Sequence, residues 1–272
     1  MPYFTTSDNC KIYYEESGTG EHIVFIHGWT ATAAFFKSQT DYFSNKYHVI
    51  AYDARGHGRS DRGEITERNM RLSRLAEDLH ELIESLGLNK VNLVGWSMGT
   101  STLLAYVRAF GCQYVNKICL IDMTPKVVSD NEWKLGTLDA KQTIDFLALA
   151  VQDWDLASDF FLPLALVNGF PKDSERYRLA LAEMRSNTPH AMIYFYIAIA
   201  SEDFRPVLKD ITVPVLLTYS GNGLLCGPAH GEYMAQNIKN SKLVVFPDCG
   251  HGLFMDDPVK FNTELETFLT EL

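Results

Sequence analysis

Three short stretches hold residue types that could together cut a carbonyl bond. The apolar run Val91–Val94 leads into Gly95-Trp96-Ser97-Met98-Gly99 and then the helix-compatible Thr100–Phe110. A serine between two glycines at a strand-to-helix turn has its hydroxyl lifted above a sheet, and the small flanking residues relieve crowding around a strained backbone. The helix start also turns free N–H groups toward developing negative charge. Ser97 is therefore the candidate nucleophile, the alternative being a serine in a plain structural turn. His27-Gly28-Trp29 follows the apolar run Ile23–Ile26, where a main-chain N–H can face the nucleophile. The N–H groups of Trp29 and Met98 form the candidate oxyanion pair, and one such preorganised donor typically supplies about 3–4 kcal/mol of barrier lowering. Leu243–Phe246 precedes Pro247-Asp248-Cys249-Gly250-His251-Gly252, which puts His251 on a loop after a strand. A neutral imidazole there can take the Ser97 proton and return it to a leaving group.

Positioning these groups requires a sheet. Buried strand candidates are Ile23–Ile26, His48–Tyr52, Val91–Val94, Ile118–Ile121, Val215–Tyr219 and Leu243–Phe246, with helical patterns between several of them. Alternating Lys11–Glu15 and the turn Ser17-Gly18-Thr19-Gly20 suggest a short antiparallel opening. The clearest helix is Met70–Leu86, with Leu72, Leu75, Leu79, Leu82, Ile83 and Leu86 on one face and Gly87 as its stop. A last helix over about 258–271 carries Phe261, Leu265, Phe268 and Leu269. Such continuous apolar strands call for a mainly parallel sheet covered by helices on both faces. Some ninety residues separate the strands ending near Ile121 and starting near Val213, far more than one crossover helix needs. Residues 127–209 are expected to form a helical cap inserted in a core made of 1–126 and 210–272. Its aromatics, among them Trp133, Trp154, Phe160, Phe161, Phe170, Tyr194 and Phe195, must mostly pack the cap, and some of them could wall an apolar pocket.

Composition narrows the function. With 272 residues, 46% hydrophobic and 21% charged, the chain is an ordinary globular protein with a sizeable core. A formal charge of −10 gives no electrostatic reason to hold nucleic acid or an anionic membrane. Apolar runs fall short of the roughly 20 residues that span a bilayer, and no secretory signal opens the sequence. Five scattered cysteines without metal-ligand spacing read as reduced thiols of a cytoplasmic protein. The eight histidines form no metal motif and Gly18-Thr19-Gly20 is no phosphate cradle, so neither metal nor nucleotide cofactor is expected. The expected partner is a small-molecule substrate.

His27-Gly28-Trp29, Asp53-Ala54-Arg55-Gly56-His57-Gly58-Arg59-Ser60, Gly95-Trp96-Ser97-Met98-Gly99 and Gly250-His251-Gly252, in that order, resemble the α/β-hydrolase superfamily, in its haloperoxidase, esterase and C–C hydrolase-like branch. The resemblance spans nearly the whole chain. It implies an eight-stranded, mainly parallel sheet with a cap inserted after the sixth strand, and a structural role for Arg55 and His57 in the turn after the fourth strand.

The third member of the triad departs from that pattern. The family usually supplies an acid just after the strand read here as Val215–Tyr219, but this chain reads Ser220-Gly221-Asn222-Gly223-Leu224-Leu225-Cys226-Gly227-Pro228, with Gly223 in the acid's place. A histidine base deprived of its carboxylate can lose about 10⁴-fold in turnover. Asp122, at the end of Ile118–Ile121, is the best substitute, and haloalkane dehalogenases include members with the acid at the corresponding place. Its alternative role is to cap the turn before Pro125. Asn222 could orient the imidazole through its amide oxygen, whereas Asp248, Asp256 and Asp257 read as caps or surface charges. The expected function is a serine esterase for small, largely uncharged esters. Lactonase or C–C hydrolase chemistry on the same triad, and a non-hydrolytic ligand receptor on this fold, are the alternatives.

Overall fold

The computed structural model describes residues 3–166 and 171–271. Its strands and helices follow from runs that must be buried on two faces or one. The first strands are β1 (Tyr3–Thr5), β2 (Lys11–Ser17), β3 (His22–Ile26), β4 (His48–Tyr52), β5 (Val91–Trp96) and β6 (Val115–Ile121). Next come the short β7 (Val128–Ser129) and β8 (Leu138–Asp139), then β9 (Val215–Ser220) and β10 (Ser241–Phe246). Eight of them form one sheet in the order β1-β2-β4-β3-β5-β6-β9-β10. β1, β2 and β4 pair antiparallel, and every later pairing is parallel.

Side chains alternate across a strand, and both faces of this sheet are covered. In β3, Val24 and Ile26 join one core and Ile23 and Phe25 the other. The first core is closed by α2 (Leu72–Ser85) and α3 (Met98–Phe110), which pack on each other. The second is closed by α1 (Lys37–Phe43) and the last two helices, Leu253–Asp256 and Pro258–Thr270. This double burial is why the strands read as unbroken apolar runs. α2 starts two residues later than its apolar pattern because Arg71 is extended. It ends at Gly87, whose φ of 63° admits the paired bonds from the Gly87 N–H to Glu84 O and the Leu88 N–H to Ile83 O.

Between β6 and β9 the described residues form β7 and β8, paired with each other, and four helices. These are α4 (Ala140–Gln152), α5 (Trp154–Ala165), α6 (Glu175–Ser186) and α7 (Pro189–Ser201). Asp139 and Gln142 make a capping box for α4, Asp153 and Ser174 cap α5 and α6, and Pro189 opens α7. The excursion is pinched at its base by the bridge between Lys126 and Asp203 and by the Phe204 N–H donating to Pro125 O. After it come the 3₁₀ turn Arg205–Asp210 and α8 (Pro228–Asn237), with α9 (Leu253–Asp256) and α10 (Pro258–Thr270) following β10. Among the described residues no helix is long and apolar enough to cross a membrane, and all five cysteines are unpaired.

Candidate active site

The turn at Ser97 is strained in the way its neighbours require. Ser97 has φ 55° and ψ −116°, outside the regions a serine ordinarily takes, between β5 and α3. Glycine is obligatory on both sides. A Cβ on Gly95 would lie 2.6 Å from Gly99 O, and one on Gly99 would lie 2.2 Å from Ile26 O. The Ser97 N–H donates to Ile121 O at 3.1 Å, anchoring the turn on β6. Met98 opens α3, so its N–H has no carbonyl within the helix and is free to face an anion.

Gly28 brings the other candidate donor close, since a Cβ there would sit 3.2 Å from Ser97 Cβ. Its loop is fixed by His27, whose Nε2 accepts from the Ala54 N–H at 2.8 Å, so that Nδ1 carries the proton and donates to Gly28 O at 2.7 Å. Burial holds His27 below the usual histidine range, which keeps it in that neutral form. The Trp29 indole N–H donates to Met192 O at 3.0 Å, and its ring packs edge-on against Phe161 and Trp154, tying the loop to α7 and α5.

The structure joins Asp122 to His251: Asp122 Oδ2 lies 2.7 Å from His251 Nδ1, with both side chains buried. Asp122 takes φ 47° at the end of β6. Its second oxygen, Oδ1, accepts from the Ser220 N–H at 2.8 Å and from the Ser220 hydroxyl at 2.9 Å. Nothing in the sequence singles out Ser220, because a serine ending a strand carries no signal of its own. At Gly223, the place without the expected acid, a Cβ would fall 2.1 Å from Ser220 Oγ. Asp257 caps α10 by accepting from the Lys260 N–H, and Asp256 accepts from the Gly250 N–H beside His251. The Asn222 N–H donates to Cys249 O at 3.2 Å.

Arg55 and His57 serve the scaffold. Arg55 is fully buried between Asp78 at 2.6 Å and Asp8 at 2.8 Å. His57 donates from Nδ1 to Arg55 O and rests on Phe195, and burial pushes its pKa down to about 3. Asp53 accepts from the Ala33 N–H and from the Arg59 N–H and guanidinium, which hold it below the usual carboxylate range against the cost of burial.

Ser97, Trp29 and His251 together line two narrow cavities of about 30 and 60 Å³. The second shares Thr137, Leu138, Phe161, Tyr196 and Leu225 with a half-open chamber of about 560 Å³, walled further by Phe146, Leu149, Phe160 and Leu164 and at places by Gln142 and Asp145. Of the aromatics between β6 and β9, Phe146, Phe160, Phe161 and Tyr196 thus wall a cavity. Trp133 packs on Tyr233 and under Arg205, Trp154 against Trp29, and Phe195 against His57, while Tyr194 borders a separate groove. Phe170 lies outside the described residues.

A protein family described as alpha/beta hydrolase fold matches residues 21–258. The non-heme chloroperoxidase CPO-A1 of Kitasatospora aureofaciens is 31% identical over 285 residues, covering all of both chains. The pimeloyl-[acyl-carrier protein] methyl ester esterase of Nitrosomonas europaea is 26% identical over 92% of this chain and 96% of its own. Among solved structures, the esterase EaEST of Exiguobacterium antarcticum superposes with a TM-score of 0.92 at 28% identity, over 99% of each chain.

Proposed function

Since the chain belongs to the alpha/beta hydrolase fold family, we propose that it is a serine hydrolase of uncharged carboxylic esters that carry an apolar tail. The observation that carries this reading is the 2.7 Å contact of His251 with Asp122, with Ser97 and His251 facing the same cavities. Asp122 bound at Nδ1 leaves Nε2 of the neutral ring free to take the Ser97 proton as the hydroxyl oxygen attacks the ester carbonyl. The N–H groups of Trp29 and Met98 stabilise the oxyanion of the tetrahedral intermediate. Collapse expels the alcohol, protonated by His251, and leaves an acyl-Ser97. Water, deprotonated by the same imidazole, then releases the acid. The chamber beyond Phe161 accommodates the tail.

Two of the similar proteins are named as esterases, which agrees with this chemistry. A relative from Acinetobacter calcoaceticus, 27% identical over 99% of each chain, is named as a bifunctional esterase/perhydrolase, which supports a second reading on the same acyl-enzyme, in which hydrogen peroxide replaces water and the product is a peracid.

Turnover of p-nitrophenyl acetate, butyrate and octanoate by wild type and Ser97→Ala tests the proposal, together with labelling by a fluorophosphonate probe. Hydrolysis and labelling that vanish in a folded Ser97→Ala protein are expected. Ester hydrolysis that survives the substitution overturns the serine mechanism, and a folded wild type that is neither labelled nor active overturns it in favour of ligand binding without turnover.

A further inference from the structure

We infer that Ser220 and Gly223 act as a coupled pair of positioning residues, in which the missing side chain at 223 makes room for the hydroxyl that orients Asp122 toward His251. The inference rests on the triad reading above. It concerns how the acid is held rather than which acid serves.

A carboxylate at the end of a strand can rotate about two bonds, and only one orientation aims an oxygen at the imidazole. Here that rotation is stopped by two donors from a single residue on the neighbouring strand. The Ser220 N–H and hydroxyl both reach Asp122 Oδ1, at 2.8 and 2.9 Å, so Oδ2 is left facing His251 Nδ1. The Ser220 hydroxyl also lies 3.1 Å from Cys226 O. It has one proton to give and two acceptors. The ionised carboxylate is the stronger acceptor, so the proton goes to Asp122.

The hydroxyl keeps this place because nothing projects from residue 223. A Cβ there would lie 2.1 Å from Ser220 Oγ, 3.1 Å from Ser220 Cβ and 2.4 Å from Cys226 O. Gly223 has no left-handed φ that would itself demand glycine. Its small size is therefore needed for the space, which lies between the Ser220 hydroxyl and Cys226 O. A side chain at 223 would reach the carboxylate indirectly, by displacing the Ser220 hydroxyl.

The test compares wild type, Ser220→Ala, Gly223→Ala and the double variant, using kcat and KM for p-nitrophenyl butyrate. The low-field proton resonance of the His251 Nδ1–H, assigned by its loss in His251→Gln, is recorded beside them. A hydrogen bond to a charged group corresponds to about 10- to 100-fold. Ser220→Ala is expected to lower kcat by that factor with KM within about threefold, and to broaden or shift the low-field resonance. Gly223→Ala should do the same, and the double variant should be no worse than the weaker single, because both substitutions remove one contact. Multiplying losses in the double variant, or an unaltered resonance in a folded Ser220→Ala protein, overturns the coupling. The resonance needs no turnover. If folded wild type hydrolyses no ester while the resonance responds to both substitutions, the positioning stands and the esterase reading falls.

Discussion

The indole N–H of Trp96 donates to the main-chain carbonyl of His251 at 2.9 Å, and the two rings lie 5.5 Å apart. The residue before the candidate nucleophile thus holds the loop that carries the candidate base, although 155 positions separate them in sequence. Trp96→Phe removes the donor and keeps most of the apolar ring. One neutral hydrogen bond corresponds to about 1 kcal/mol, so hydrolysis should fall by about 5- to 10-fold. Amide exchange around His251 should quicken relative to the rest of the sheet. Unchanged exchange in that loop would count against the role.

Asp122→Asn should lower kcat by about 10⁴-fold, because the amide cannot stabilise an imidazolium and favours the wrong tautomer. Asn222→Ala should stay within several-fold of wild type. Kinetics on folded variants decides between the two residues, and the reverse ranking would reassign the partner of His251.

Leu149 and Leu164 wall the 560 Å³ chamber at a remove from Ser97. Filling it with Leu149→Trp should leave an acetyl ester less affected than an octanoyl ester. The octanoate-to-acetate ratio of kcat/KM should fall at least about tenfold, since each methylene kept in water forfeits about 0.8 kcal/mol. A ratio that does not change would mean that the tail lies elsewhere.

His57 contributes to an acid sensitivity whose sign is fixed by its burial. Its folded pKa of about 3 lies below the ordinary 6.5, because charging it would bury a cation. Between those two values the unfolded chain binds a proton that the folded chain refuses. Stability therefore falls as pH drops from 6.5 toward 3, by up to about 1.4 kcal/mol per pH unit for one such group. Buried His27 adds in the same direction. Urea unfolding from pH 7 to 5 should show a shallower decline for His57→Gln than for wild type, whatever the absolute stabilities.

Much of this arrangement is legible in the sequence because burial on two faces leaves apolar strands unmistakable. The strand run His48–Tyr52 matches β4 residue for residue. Ser97, His251 and Asp122 could be singled out because glycine context and strand-end position mark them. What escaped lacks a periodic or compositional mark. α8 buries Gly231 and Met234 and little else, and a Cβ on Gly231 would lie 2.8 Å from the buried Tyr219 ring. Ser220 escaped because its importance lies in what a neighbouring strand presents to it. The Trp96 contact to His251 could not be seen either, since main-chain carbonyls leave no trace in a sequence.

The sheet order brings β5, β6, β9 and β10 side by side, and these strands or the loops after them carry Ser97, Asp122, Ser220 and His251 in turn. Synthesis delivers them in the same order. A growing chain can close the loops between β3, β4, β5 and β6 early, but the contacts of His251 with Asp122 and Trp96, spanning 129 and 155 positions, must wait for β10. Without β10 and the loop after it, the candidate nucleophile turn has no candidate base beside it. The proposed hydrolysis would therefore be a property of the finished fold, and its first appearance during refolding would time the docking of β10.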